Sequence, residues 1–255
     1  MKLALYLAGH LRTWSDNSAQ KLLALLQGHD VDVFIATYNN IDRSDNQNMP
    51  EYKDVKFILS DEEIAAQFSK LPVREIIIDS DKVEPPVIVD RFRTGAWKMW
   101  RKVQQCNDMR IKYQEKNNIK YDYCIRHRPD TLVLQSIDFG KLPPLQTNII
   151  VGFGATLGWP DDQFAIGSPT VMNHYCNLEK ALYPESGFHK VAGFTFDVYP
   201  IHSFIQTAMV RPTKQHQREY HSDGEHPLRV VEPFGEYHMT YFHMKDFGRL
   251  DYSQV

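Results

Sequence analysis

The chain has 255 residues, 42% of them hydrophobic and 12% aromatic, enough for one large α/β domain with a sizeable core. Its formal net charge is −3 and its charged residues are well mixed, which excludes a global field favouring nucleic acid or an anionic membrane. Cys106, Cys124 and Cys176 are too sparse for a disulfide framework and lack metal-ligand spacing, as expected in a reducing compartment.

In chain order, Lys2 to Gly9 (KLALYLAG) is a short apolar run ending in glycine and predicts a buried strand. Its apolar part, Leu3 to Ala8, is too short for a signal-peptide core or a membrane span, so a soluble, cytoplasmic protein is expected. Leu22, Leu23, Leu25 and Leu26 predict a helix stopped by Gly28, and residues 31–38 (VDVFIATY) a second strand. Residues 39–54 are polar and aperiodic and predict a long loop. Ser60 and Glu63 have capping-box spacing at the start of a helix, and residues 74–79 (REIIID) predict a third strand. Residues 84–90 read as extended or irregular. Thr94 is the expected cap of a long helix reaching Asn117, with Ala96, Trp100, Val103, Cys106, Met109 and Tyr113 on one stripe.

Residues 121–134 (YDYCIRHRPDTLVL) predict the fourth strand, and further strands are expected at 148–153 and 162–168. Ser168-Pro169 has the form of an N-cap and first helical residue, and another helical pattern covers about 195–210. The order predicts one α/β domain, 1–255, with a mixed sheet parallel in its first half and flanking helices. Ligands of such sheets bind beyond the C-terminal ends of the strands.

That rule singles out the ends of the first and fourth strands. After the first come Ala8, Gly9, His10 and Arg12, where glycine permits close backbone approach and arginine offers a fork of donors to phosphate. At the fourth stand Arg126, Arg128 and Asp130, which regular alternation places on one face, a cation pair and carboxylate suited to an anion or a metal-bound anion. Asp79-Ser80-Asp81 has Asp-x-Asp spacing for a divalent cation. Asp161 and Asp162 precede an apolar strand and are candidates for a general base. Each has a bland counterpart: a strand-to-helix turn, a salt-bridged strand end, or an Asp- or Pro-rich turn. No GxGxxG or GxxxxGK[ST] motif occurs, which argues against a dinucleotide-dependent dehydrogenase and a phosphate-loop enzyme. His221, His226, His238 and His243 match no zinc motif.

Several segments resemble a known group in order and spacing. LYLAGHLRTW resembles the SGQxRT start of a group of bacterial and large-virus sugar transferases. VDVFIATY resembles its VDIFISTW strand, KYDYCIRHRPDTLVL its YDxxIRxRPD strand, and DDQFAIGS its Asp-x-Phe-Ala-x-Gly segment. The resemblance spans roughly residues 3–38 and 93–175. It implies a glycosyltransferase of the GT-A type, a Rossmann-like domain with a nucleotide-binding half about 1–135 and an acceptor half about 136–255. It implies a nucleotide-sugar donor, with UDP as the default, and an oligosaccharide or glycan acceptor. Ala8, Gly9, His10, Arg12, Arg126 and Arg128 would then bind the donor and Asp162 or Asp161 act as base or sugar-orienting group. The group's metal-binding Asp-x-Asp usually follows the fourth strand, where this chain has Arg128-Pro129-Asp130. The resemblance therefore leaves open Mn2+ or Mg2+ held by Asp130 with His243 or His238, or arginines in place of the metal. An inert nucleotide- or glycan-binding domain and a histidine-based metallohydrolase are the alternatives.

Overall fold

The computed structural model describes residues 1–12, 14–40, 58–80, 82–83, 91–133, 137, 139–142, 148–154, 159–177, 238–243 and 247–249. They form a mixed α/β architecture. Strands β1 (Lys2–Ala8), β2 (Asp30–Tyr38), β3 (Val73–Asp79) and β4 (Tyr123–His127) are parallel to one another. Strands β6 (Asn148–Gly154), β7 (Trp159–Gly167) and β8 (His238–His243) complete a seven-stranded sheet of order β3-β2-β1-β4-β7-β6-β8. β7 runs antiparallel to both β4 and β6, and β8 is parallel to β6. The short strands β5 (Thr131–Val133) and β9 (Phe247–Arg249) pair antiparallel as a separate ribbon.

Both faces of the sheet are covered, which is why the central strands read as unbroken apolar runs. On one face Ala4, Tyr6, Ala8, Phe34 and Ala36 pack against helix α3 (Arg91–Asn117) and helix α4 (Pro169–Cys176). The alanines there leave room for Trp97 and Trp100, both buried. On the other face Leu3, Leu5, Leu7, Val33 and Ile35 meet Ala19 and Leu22 of helix α1 (Asp16–Leu25) and Ile64 of helix α2 (Asp61–Gln67).

The helix ends follow local chemistry. Ser15 caps α1, and Gly28 beyond its end has φ +86°. The Ser60–Glu63 capping box forms at α2. α3 starts at Arg91, ahead of Thr94, so Thr94 lies inside the helix instead of capping it. At its far end Asn118 takes a left-handed φ of 51°, and Ile119 N–H reaches back to the Gln114 carbonyl at 3.0 Å. Ser168 accepts from Val171 N–H at 3.3 Å at the start of α4, with Pro169 in the first turn as expected.

The fourth strand differs from expectation. It stops at His127, and residues 128–131 form a turn in which Thr131 N–H donates to the Arg128 carbonyl at 3.1 Å. Pro129 at the second turn position has no N–H and a φ already suited to it. The expected helix at about 195–210, the segment 84–90, residues 41–54 of the expected loop, Asp81, His221 and His226 lie outside the described residues. No helix among the described residues is long and apolar enough to cross a membrane.

Candidate functional site

The C-terminal edge of the parallel strands gathers most of the singled-out residues. Gly9 follows β1 with φ +130°, and its N–H donates to the Ala36 carbonyl at 3.1 Å. A Cβ on Gly9 would stand 3.6 Å from Arg128 Cγ and 3.8 Å from Pro129 Cδ, so the loops after β1 and β4 lie against each other. Ala8 is fully buried and closes the strand below them. His10 stacks on Tyr38 with ring centroids 4.7 Å apart, and its Nδ1 donates to the Asn40 carbonyl at 2.9 Å. Arg12 holds a left-handed φ of 46°, a conformation that non-glycine residues keep mainly where the surroundings impose it.

The Arg12 guanidinium reaches Asp130. Arg12 NH1 lies 3.1 Å from Asp130 Oδ2, across 118 residues of sequence. Arg128 grips the same carboxylate as a fork, Nε to Oδ1 at 2.5 Å and NH2 to Oδ2 at 3.1 Å. The Asp130 side chain is 3% exposed. Burial pushes its pKa up, but Arg128 and then Arg12 outweigh that and hold it below the ordinary carboxylate value.

Arg126 does not share this arrangement. Because the strand ends at His127, Arg128 and Asp130 turn out of its alternation, and Arg126 remains inside the fold beside Tyr6 and Ala165 in register. It is fully buried, and none of its three guanidinium nitrogens has a hydrogen-bond partner. An uncompensated buried charge is among the costlier features a fold can carry. Next to it His127 is buried with both ring nitrogens unpartnered. Burial first, and Arg126 second, push its pKa down from 6.5 to about 4.

β7 begins at this same edge because it runs against β4. Val151 pairs with Ala165 but Gly152 pairs with Asp161, so the β6–β7 ladder shifts register around Asp162. Gln163 anchors the turn: its carbonyl accepts from Arg128 N–H at 2.9 Å, and its Oε1 accepts from the Thr131 hydroxyl at 3.2 Å.

Asp79, the first residue of the literal Asp-x-Asp, is held by protein groups. Lys102 Nζ lies 2.8 Å from its Oδ2, Gln105 Nε2 donates to it at 3.0 Å, and Arg101 stands at 3.5 Å. Lys102 is fully buried, 4.2 Å above the Tyr38 ring centroid, and burial pushes its pKa down to about 8 against the pull of Asp79. Lys102, Tyr38, Gln163 and His127 are edge residues that sequence reasoning did not single out.

The histidines expected near a metal separate. His243 pairs with Phe153 at the C-terminal edge. His238 pairs with Asn148, beyond the level of Cys124, and so lies at the opposite end of the strands from Asp130. Strand order places β8 three strands from β4, a lateral separation of about 14 Å. Among the described residues no group of three or more His, Cys, Asp or Glu is placed to hold a metal. Asp130, with guanidinium nitrogens on both oxygens, does not fit a cation site as it stands. Compared with known proteins, the sequence matches no family model and no curated protein.

Proposed function

We propose that the chain is a glycosyltransferase of the GT-A type, moving a sugar from a nucleotide-sugar donor to a hydroxyl of a glycan acceptor. The observation that carries this reading is the pair of arginines that meet at the strand ends. Arg12, after β1, and Arg128, after β4, come together there on Asp130. Guanidiniums held side by side suit an anion of more than one charge, and a nucleoside diphosphate has that charge. They stand at the C-terminal ends of parallel strands, where open α/β sheets bind their ligands.

In this reading the nucleotide lies over the end of β1, along Ala8, Gly9 and His10, with its diphosphate toward the arginines. Transfer breaks the bond between the sugar's anomeric carbon and the phosphate oxygen, and forms one to the acceptor oxygen. Negative charge builds on the leaving diphosphate, and preorganised guanidiniums stabilise it most in the transition state. The acceptor proton passes to Asp162, or Asp161, if the enzyme inverts; if it retains, that carboxylate orients the sugar. UDP is the first donor nucleotide to try.

The test is release of the leaving nucleotide, a nucleoside diphosphate from UDP-, GDP- and TDP-sugars and CMP from CMP-sugars, with and without a glycan acceptor. One donor should be turned over, and Asp162→Ala should lose turnover while keeping donor binding. Wild-type turnover in both Asp161→Ala and Asp162→Ala rejects the base assignment. Donor binding with neither transfer nor slow hydrolysis identifies an inert binding domain instead.

A further inference from the structure

We infer that Asp130 is a positioning residue, holding Arg12 and Arg128 as a paired clamp for a diphosphate, and that this clamp takes the place of a divalent metal. The inference rests on the donor site proposed above.

Three features point the same way. The carboxylate is satisfied by cations: Oδ1 accepts from Arg128 Nε, while Oδ2 accepts from Arg128 NH2 and Arg12 NH1. A divalent ion on this carboxylate would stand against two guanidiniums in a site where Asp130 is 3% exposed. Second, the clamp joins two loops. Arg12 follows β1 and Arg128 follows β4, and both side chains reach Asp130. Third, the two guanidiniums lie side by side on one carboxylate where β1 and β4 end, a disposition that suits a doubly charged anion. The histidines that a metal would recruit do not converge on this point, since His238 lies at the far end of the sheet.

The sign of one substitution separates positioning from charge. Asp130 carries negative charge beside an anion site, so by Coulomb's law alone Asp130→Asn would tighten anion binding. If Asp130 acts by orienting the two guanidiniums, Asp130→Asn weakens binding instead, because the fork geometry is lost.

The experiment is calorimetric titration of UDP, GDP and inorganic pyrophosphate, first in EDTA and then in manganese. The proteins are the wild type, Asp130→Asn, Arg12→Lys, Arg12→Ala and the Asp130→Asn/Arg12→Ala double variant. The wild type should bind at least one diphosphate in EDTA, and manganese should change its Kd by less than about threefold. Asp130→Asn and Arg12→Ala should each weaken binding about tenfold or more, with Arg12→Lys between wild type and Arg12→Ala. The double variant should be little weaker than either single one, because Asp130 acts through the arginines. Arg12 is 33% exposed, so its variants test the clamp even if Asp130→Asn fails to fold. Binding that appears only with manganese and disappears in Asp130→Asn overturns the inference and leaves the transferase reading standing. Unchanged or tighter binding by Asp130→Asn in EDTA overturns the positioning role. No diphosphate binding by the wild type in either buffer overturns the inference together with the donor site beneath it.

Discussion

His127 gives stability a pH dependence that can be isolated. Its ring is buried on the α1 side of the sheet, edge-on to Phe164 at a centroid distance of 6.5 Å, with no partner on either nitrogen. Burial and the neighbouring Arg126 favour the neutral imidazole and hold its pKa near 4 instead of 6.5. The unfolded chain therefore binds the His127 proton at a higher pH than the folded one. The contribution is fully present above pH 6.5 and is lost as pH falls toward about 4. A fall from 6.5 to about 4, at about 1.36 kcal/mol per unit, sets that loss at about 3 kcal/mol. The assay is urea unfolding of wild type and His127→Leu at several pH values between 7.5 and 4, roughly spanning the titration of histidine. Every other titrating group is common to both proteins, so the difference between the two curves reports His127. The wild type should lose about 3 kcal/mol more than the variant across this range. Parallel curves would refute the buried, neutral histidine.

Arg126→Met should stabilise the protein by about 2 kcal/mol, because it removes a buried charge without a partner; thermal melts of the two proteins read the sign. At the opposite end of the sheet, Asp32 accepts from Lys2 at 2.7 Å, Arg74 at 2.5 Å and Tyr121 at 2.8 Å. Asp32→Asn should cost about 2 kcal/mol in urea unfolding at neutral pH, discounted for the partly exposed cations, and leave ligand binding unchanged. Gly9→Ala meets only ordinary contacts around its new Cβ, so its cost is the strained backbone at φ +130°. It should destabilise by about 1–3 kcal/mol and weaken nucleotide binding.

The parallel half of the fold was legible because each strand is a continuous apolar run and α1 and α2 carry their own caps. Ser15, Ser60, Gly28 and Ser168-Pro169 act locally, and local chemistry survives without knowledge of the tertiary structure. The fourth strand was read too long. Pro129 was the available signal, and it ended the alternation that would have aligned Arg126, Arg128 and Asp130. β8 was missed because His238–His243 (HMTYFH) reads as an aromatic patch without period-two polarity, although aromatic residues also favour strands. The residues of the edge were visible, but their pairing was not. Nothing in the sequence links Arg12 to Asp130 across 118 positions. Lys102 reads as a solvent-facing lysine on an amphipathic helix. Its burial follows from where β3 ends, since Asp79 supplies the carboxylate.

A nucleotide-sugar site built on arginine is tested most directly by thermal stability in the presence of donors. A ligand that binds only the folded state at about a hundred times its Kd adds about 2.7 kcal/mol, a rise of about 5 °C or more for a chain of this size. UDP-, GDP-, TDP- and CMP-sugars would each be added in EDTA and again in manganese. One donor should raise the melting temperature in EDTA, and Arg12→Ala should not respond to it. No shift with any donor in either buffer would contradict such a site.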